Sequence, residues 1–143
     1  MKFPFKSIAF IAFLILAMFQ TSCKSDDDSG DECEGVACPT DAPGLYVYII
    51  DENQDPVALD AYEVINIATG EVLTTLIPPV IFEQYQQAGE YPLSTGPLEI
   101  GQERDVLFKG FINDIEVISS NYRVGRGCCY LGVVSGDVNL VLE

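Results

Sequence analysis

The chain has 143 residues, and its 22 acidic side chains against 7 basic ones give a net charge of −15, with no histidine anywhere. Such a surface repels phosphate backbones, which argues against nucleic-acid binding, and the missing histidine removes Ser-His-Asp and Cys-His nucleophile systems together with histidine metal sites. No G-x-S-x-G, Walker-type or G-x-G-x-x-G pattern occurs either, so no enzymatic activity is expected.

The N-terminus opens with Lys2 and Lys6, followed by an unbroken apolar run of 12 residues from Ile8 to Phe19. A spanning helix needs roughly 20 apolar residues and a signal-peptide core only about 7–15, so the run fits a cleaved signal better than an anchor. Thr21, Ser22 and Cys23 then resemble the lipobox of bacterial lipoproteins, with Gln20 standing where an aliphatic residue is usual. The resemblance implies removal of residues 1–22, acylation of Cys23 and attachment to a membrane through the acyl chains. "CKSDDD" is similar to the acidic export signal of Bacteroidota lipoproteins, which implies display on the outer membrane at the cell surface. An ordinary secretory signal, leaving Cys23 as a thiol, is the competing reading.

Cleavage would leave 121 residues, enough for one domain, with five basic against 22 acidic side chains. Setting Cys23 aside leaves Cys33, Cys38, Cys128 and Cys129, an even number in an oxidising compartment. A Cys128–Cys129 bridge is strained, because adjacent α-carbons lie about 3.8 Å apart and disulfides prefer 4.4 Å or more. Cross-pairing between "CEGVAC" and "GCC" is therefore favoured. A local Cys33–Cys38 loop and a four-cysteine zinc site stay open as rivals.

Lys24 to about Asp31 is a Ser, Asp and Gly tether, and Cys33 to Pro43 a short arm, so residues 23–43 lead into a domain at 44–143. From Gly44 onward the pattern is β. Leu45–Asp51 is a strand, and "ENQDP" breaks it. Ala61–Ile67, the turn "ATGE" and Glu71–Ile77 read as a hairpin. Pro78 and Pro79 end that second arm, and "VIFEQY" reads as a further edge strand. "QAGEYPLSTGPLEIGQE" reads as loop with a short strand at Leu98–Ile100, followed by strands at Arg104–Ile112, Ile115–Val124 and Asp137–Glu143. No window has helical periodicity over three turns. Six to eight short strands at this spacing predict an all-β, single antiparallel β-sandwich, Ig-like or transthyretin-like in class.

"YVYIIDENQDPVALDAYEVINIATGEVL" resembles the opening of carboxypeptidase-regulatory, transthyretin-like domains, with its Asp-rich turn, Pro-Val and Thr-Gly-Glu signatures. "CCYLGVVSGDVNLVL" is similar to the end of many small Bacteroidota surface lipoproteins, with Cys129 where those often carry histidine. The resemblance implies a β-sandwich over residues 44–143 that serves as an accessory binding module, and it implies no catalytic residue.

Three weaker signals concern ligands. Asp51, Asn53 and Asp55 alternate as in a calcium loop, yet Pro56 and Tyr62 occupy the positions where an EF-hand needs glycine and glutamate. That leaves a loop-borne Ca²⁺ site as the only cofactor candidate, against a plain turn. Tyr85 and Tyr91 flank "QQAGE" and are the candidate exposed aromatic pair, with packing on the sandwich as the alternative. Tyr46, Tyr48 and Ile50 share one face of the first strand and Val47 and Ile49 the other, which predicts a central, covered strand. The functional expectation is an envelope lipoprotein that binds a glycan, a peptide or a protein partner without catalysis. A purely structural envelope component is the alternative.

Overall fold

The computed structural model describes residues 33–143. The signal at residues 1–22, Cys23 and the tether lie outside the described residues. Seven strands and one helix follow in order: β1 (Tyr46–Asp51), β2 (Ala61–Asn66), α1 (Pro79–Ala88), β3 (Glu90–Pro92), β4 (Glu103–Ile112), β5 (Ile115–Arg126), β6 (Leu131–Ser135) and β7 (Asn139–Leu142). They form a three-stranded sheet, β3-β1-β7, packed on a four-stranded sheet, β2-β4-β5-β6. The molecule is a β-sandwich, as the strand spacing predicts.

Alternation builds the interior. Val47 and Ile49 of β1 and Tyr91 of β3 meet Val64, Phe108 and Val124 from the larger sheet, and all six are fully buried. Burying each such side chain contributes roughly 1.5–3 kcal/mol. β1 is indeed central, between β3 and β7, but only its inner face is fully covered, because Tyr48 on the outer face is 39 % exposed.

Direction is not written in that alternation. Six of the seven strands are joined by antiparallel ladders, whereas β7 runs parallel to β1, with Tyr48 opposite Asn139 and Ile50 opposite Val141. The long β4–β5 hairpin forms the centre of the larger sheet, turning through Asn113 and Asp114, both in the left-handed region at φ 53° and 61°.

Four expected features are corrected. The hairpin from Ala61–Ile67 shrinks to a single bridge, Ile65 with Val72, and Glu71–Ile77 is not a strand. Thr74 supplies the reason: its Oγ1 takes the Val64 N–H at 2.7 Å, so a side chain ends the ladder that a backbone carbonyl would continue. β2 pairs instead with β4 along its whole length. "VIFEQY" is helix rather than edge strand, Leu98–Ile100 is not a strand although Leu98 is buried, and the expected loop contains β3.

The helix α1 has Pro79 in its first turn, where a missing N–H costs nothing, and ends on Gly89 in the left-handed conformation at φ 65°. Phe82, Tyr85 and Gln86 share the face turned to the sandwich, and Gln86 Nε2 donates to the Leu59 carbonyl at 2.7 Å. None of the helix side chains is fully buried.

Two disulfides fasten the N-terminal arm to the turn before β6. Cys33 pairs with Cys128 and Cys38 with Cys129, the cross-pairing that the sequence favours. The Tyr130 hydroxyl adds a 3.0 Å hydrogen bond to the Pro39 carbonyl.

Candidate functional site

The outer face of the small sheet gathers the most varied chemistry. Register sets Glu90 of β3, Tyr48 of β1 and Asn139 of β7 opposite one another, so the three side chains form one row across the sheet. Alternation puts Tyr46 and Ile50 on the same face, and Val141, half exposed, stands beside Ile50. Tyr46 also meets Tyr85 of α1, with ring centroids 6.1 Å apart and planes tilted at 56°. Burial first, and then the neighbouring Tyr46, hold the Tyr85 hydroxyl above its usual range.

The row offers one aromatic ring, one carboxylate and one amide. An aromatic face packs on apolar C–H surface, while carboxylate and amide together accept and donate hydrogen bonds. That vocabulary suits a neutral ring bearing hydroxyl groups. The carboxylates whose acidity the fold moves are all pushed down rather than up: Asp51 by backbone N–H donors, Asp105 by Arg123 and Glu116 by Lys109. A general acid needs the opposite shift.

The expected ligand residues divide. Tyr85 is half-buried against Tyr46, at the margin of this face. Tyr91 is not an exposed partner for it. Its ring is fully buried, and its hydroxyl accepts the Leu59 N–H at 2.7 Å and donates to the Val57 carbonyl at 2.8 Å. Alternation on the short strand β3 drives that ring inward, as it does the side chains of β1.

Asp51, Asn53 and Asp55 do come together, but as a turn. Asp51 Oδ1 accepts the N–H groups of Asn53 at 2.8 Å and Asp55 at 2.9 Å, and Gln54 takes a left-handed φ of 69° between them. Oδ1 of Asp51 is thus held by the turn's own backbone, and Oδ2 accepts from the Asn53 side-chain amide at 3.4 Å. Among the described residues, no group of three or more Cys, Asp or Glu side chains gathers to hold a metal ion. The four cysteines are spent on disulfides rather than on zinc.

Two hollows among the described residues add to this surface. One, of about 630 Å³, lies beside the disulfide turn, over Gly125, Gly127, Tyr130 and Val134. The other, of about 400 Å³, opens between the start of β2 and the start of α1. Neither was visible in the sequence, because both depend on which segments the fold sets side by side. The outer-face row was partly visible, since alternation along "YVYII" already grouped Tyr46 with Tyr48.

Among the described residues, no helix is long and apolar enough to cross a membrane. Compared with known proteins, the chain matches no family model, no curated protein and no solved structure.

Proposed function

We propose that this chain is a Bacteroidota-type surface lipoprotein, anchored in the outer membrane through acyl chains on Cys23, whose carboxypeptidase-regulatory-like sandwich binds a neutral glycan without catalysis. The observation that carries the binding role is the cross-strand row of Glu90, Tyr48 and Asn139 on an open sheet face. The apolar run before Cys23 supports the anchor, and the two disulfides fit an oxidising, exported compartment. Two or three acyl chains, at roughly 0.8 kcal/mol per buried methylene, hold a protein stably at a bilayer.

Gel electrophoresis through immobilised neutral polysaccharides tests the binding role. The wild-type chain is retarded by at least one of them, and Tyr48→Ala weakens that interaction about tenfold, equivalent to about 1.4 kcal/mol. Equal mobility of the two proteins in every gel removes the sheet face from consideration. Intact mass spectrometry of protein from its native envelope tests the anchor: acyl chains on an N-terminal Cys23 are expected, and an unmodified thiol refutes it.

Among the described residues β6 and β7 have no further strand on their outer edges, which favours a second reading, in which the domain is a structural envelope component that pairs edge to edge. Concentration-dependent self-association that survives Tyr48→Ala distinguishes it.

A further inference from the structure

A sheet edge is an unfinished hydrogen-bond ladder, and proteins blunt such edges with proline, lysine, bulges or covering segments. The two sheets have four edges, and three of them are blunted. The edge of β2 is occupied from Val64 to Asn66. There the Asn66 N–H donates to the Glu71 carbonyl at 2.8 Å, the Leu73 N–H to the Val64 carbonyl at 2.7 Å and the Val64 N–H to Thr74 Oγ1. β3 is three residues long, carries Pro92 and is separated from α1 only by Gly89. β6 is bulged, because its ladder slips between Val124–Val133 and Arg123–Ser135 and leaves Val134 as an extra residue. β7 differs. Its residues "NLVL" include no proline or lysine, its ladder with β1 is unbroken, and among the described residues no strand pairs with its outer side.

Register shows which backbone groups that side offers. The Tyr48 N–H donates to the Val138 carbonyl at 2.7 Å, so even-numbered residues of the parallel ladder turn their N–H and C=O groups toward β1. The odd-numbered Asn139, Val141 and Glu143 turn theirs outward. Asp137 Oδ1 already accepts the Asn139 N–H at 2.9 Å, which leaves both groups of Val141 facing out. Alternation also sets these three side chains on the outer face with Tyr48 and Ile50, where Val141 is 52 % exposed. On the inner face, Leu140 packs on the core yet stays only half-buried.

We propose that β7 is the contact surface for a second copy of this chain, paired antiparallel about a two-fold axis at Val141, so that two three-stranded sheets merge into one of six. "NLVLE" is self-complementary in that register. Val141 lies opposite Val141 of the second copy and exchanges both backbone hydrogen bonds with it. Asn139 lies opposite Glu143 of the second copy, and its amide donates to that carboxylate. On the inner face Leu140 meets Leu142 of the second copy, which covers surface that a single copy leaves half open. Because Tyr48 already stands opposite Asn139, the second copy's Glu143 extends the row Glu90–Tyr48–Asn139 by another carboxylate. The pairing consumes both open edges, so it closes at two copies. The net charge of −15 opposes approach at long range, whereas the contact is mainly apolar and uncharged, so added salt strengthens it. The inference rests on the edge-pairing reading and adds its strand, its register and its stoichiometry.

Sedimentation equilibrium of the full chain tests it, in a Cys23→Ser background that removes the proposed acylation point and with it any association through lipid. A monomer–dimer equilibrium that tightens as salt is raised, with no larger species, is expected. Val141→Lys is expected to run as a monomer, because it sets two like charges face to face. Val141→Glu is expected to do the same. Mixing the two variants should restore a dimer with one copy of each, which requires residue 141 to face itself and also shows that both variants are folded. A wild-type chain that stays monomeric up to its solubility limit overturns both this inference and the edge-pairing reading. Dimers that persist in Val141→Lys, or a mixture of the two variants that does not associate, overturn the pairing at Val141 while edge pairing through another strand still stands. Growth beyond dimers refutes the two-fold closure.

Discussion

Two buried tyrosines that look alike in the sequence carry opposite consequences for stability. Tyr91 gives and receives a hydrogen bond through its hydroxyl, so Tyr91→Phe leaves the Leu59 N–H and the Val57 carbonyl without that partner. A stranded buried group costs about 1–3 kcal/mol, and equilibrium urea unfolding should show a loss of that order. Tyr62→Phe removes a hydroxyl that has no partner, and the same measurement should show no loss or a gain. Asp51 carries a pH prediction. Backbone N–H groups of Asp55 and Asn53 lower its pKa below the usual 3.8, so the folded state binds the proton less readily than the unfolded one. The stabilisation is therefore complete above the unfolded value and lost as the pH falls through the folded one. Comparing wild type with Asp51→Ala, the stability difference should hold steady between pH 7 and about pH 5 and shrink below 3.8.

The helix α1 shows why some elements were legible and others were not. Its first apolar residues, Val80, Ile81 and Phe82, favour strand by type, and periodicity over so short a stretch cannot separate the two. The boundary residues hold the distinguishing signal: Pro79 within the first turn and Gly89 immediately after the last. β1, β2, β4 and β5 were readable because alternation runs through each of them for at least five residues. β6 was overlooked, because Gly132 interrupts its short run and a serine ends it. For Glu71–Ile77 the apolar pattern was present, but the Thr74 hydroxyl took the hydrogen bond that pairing required. The candidate site was legible only where one strand carries it, at Tyr46 and Tyr48; Glu90 and Asn139 gain their meaning from register. Gly89 offers the test of the helix end. A Cβ there would lie 2.6 Å from the Ile49 carbonyl oxygen, on a backbone at φ 65°. The left-handed conformation alone costs a non-glycine residue about 1–2 kcal/mol, so Gly89→Ala should cost more than that in unfolding free energy. The same change should loosen the contact of Tyr85 with Tyr46 at the margin of the sheet face.

Across the whole molecule, the disulfides and the core do separate work. Every fully buried side chain belongs to the sandwich, while residues 34–44 are exposed, so the arm adds little to the core. Its bridges act by closing long loops, with sequence separations of 95 and 91 residues. Such loops restrict the unfolded chain, and in the chain-entropy account one of about 100 residues is worth about 4.7 kcal/mol. The two bridges are nearly parallel, because Cys33 and Cys38 are close in sequence and Cys128 and Cys129 are adjacent. Once either is formed, the other closes only a short additional loop, worth about 2 kcal/mol by the same relation. Removing one bridge by the paired change Cys33→Ser with Cys128→Ser should therefore cost about 2 kcal/mol, and removing the other should cost about the same. Removing both should cost well beyond the sum of the two single losses, because only then is the long loop released. Urea unfolding of the four proteins checks this, and simple additivity would show that the bridges do not share one constraint.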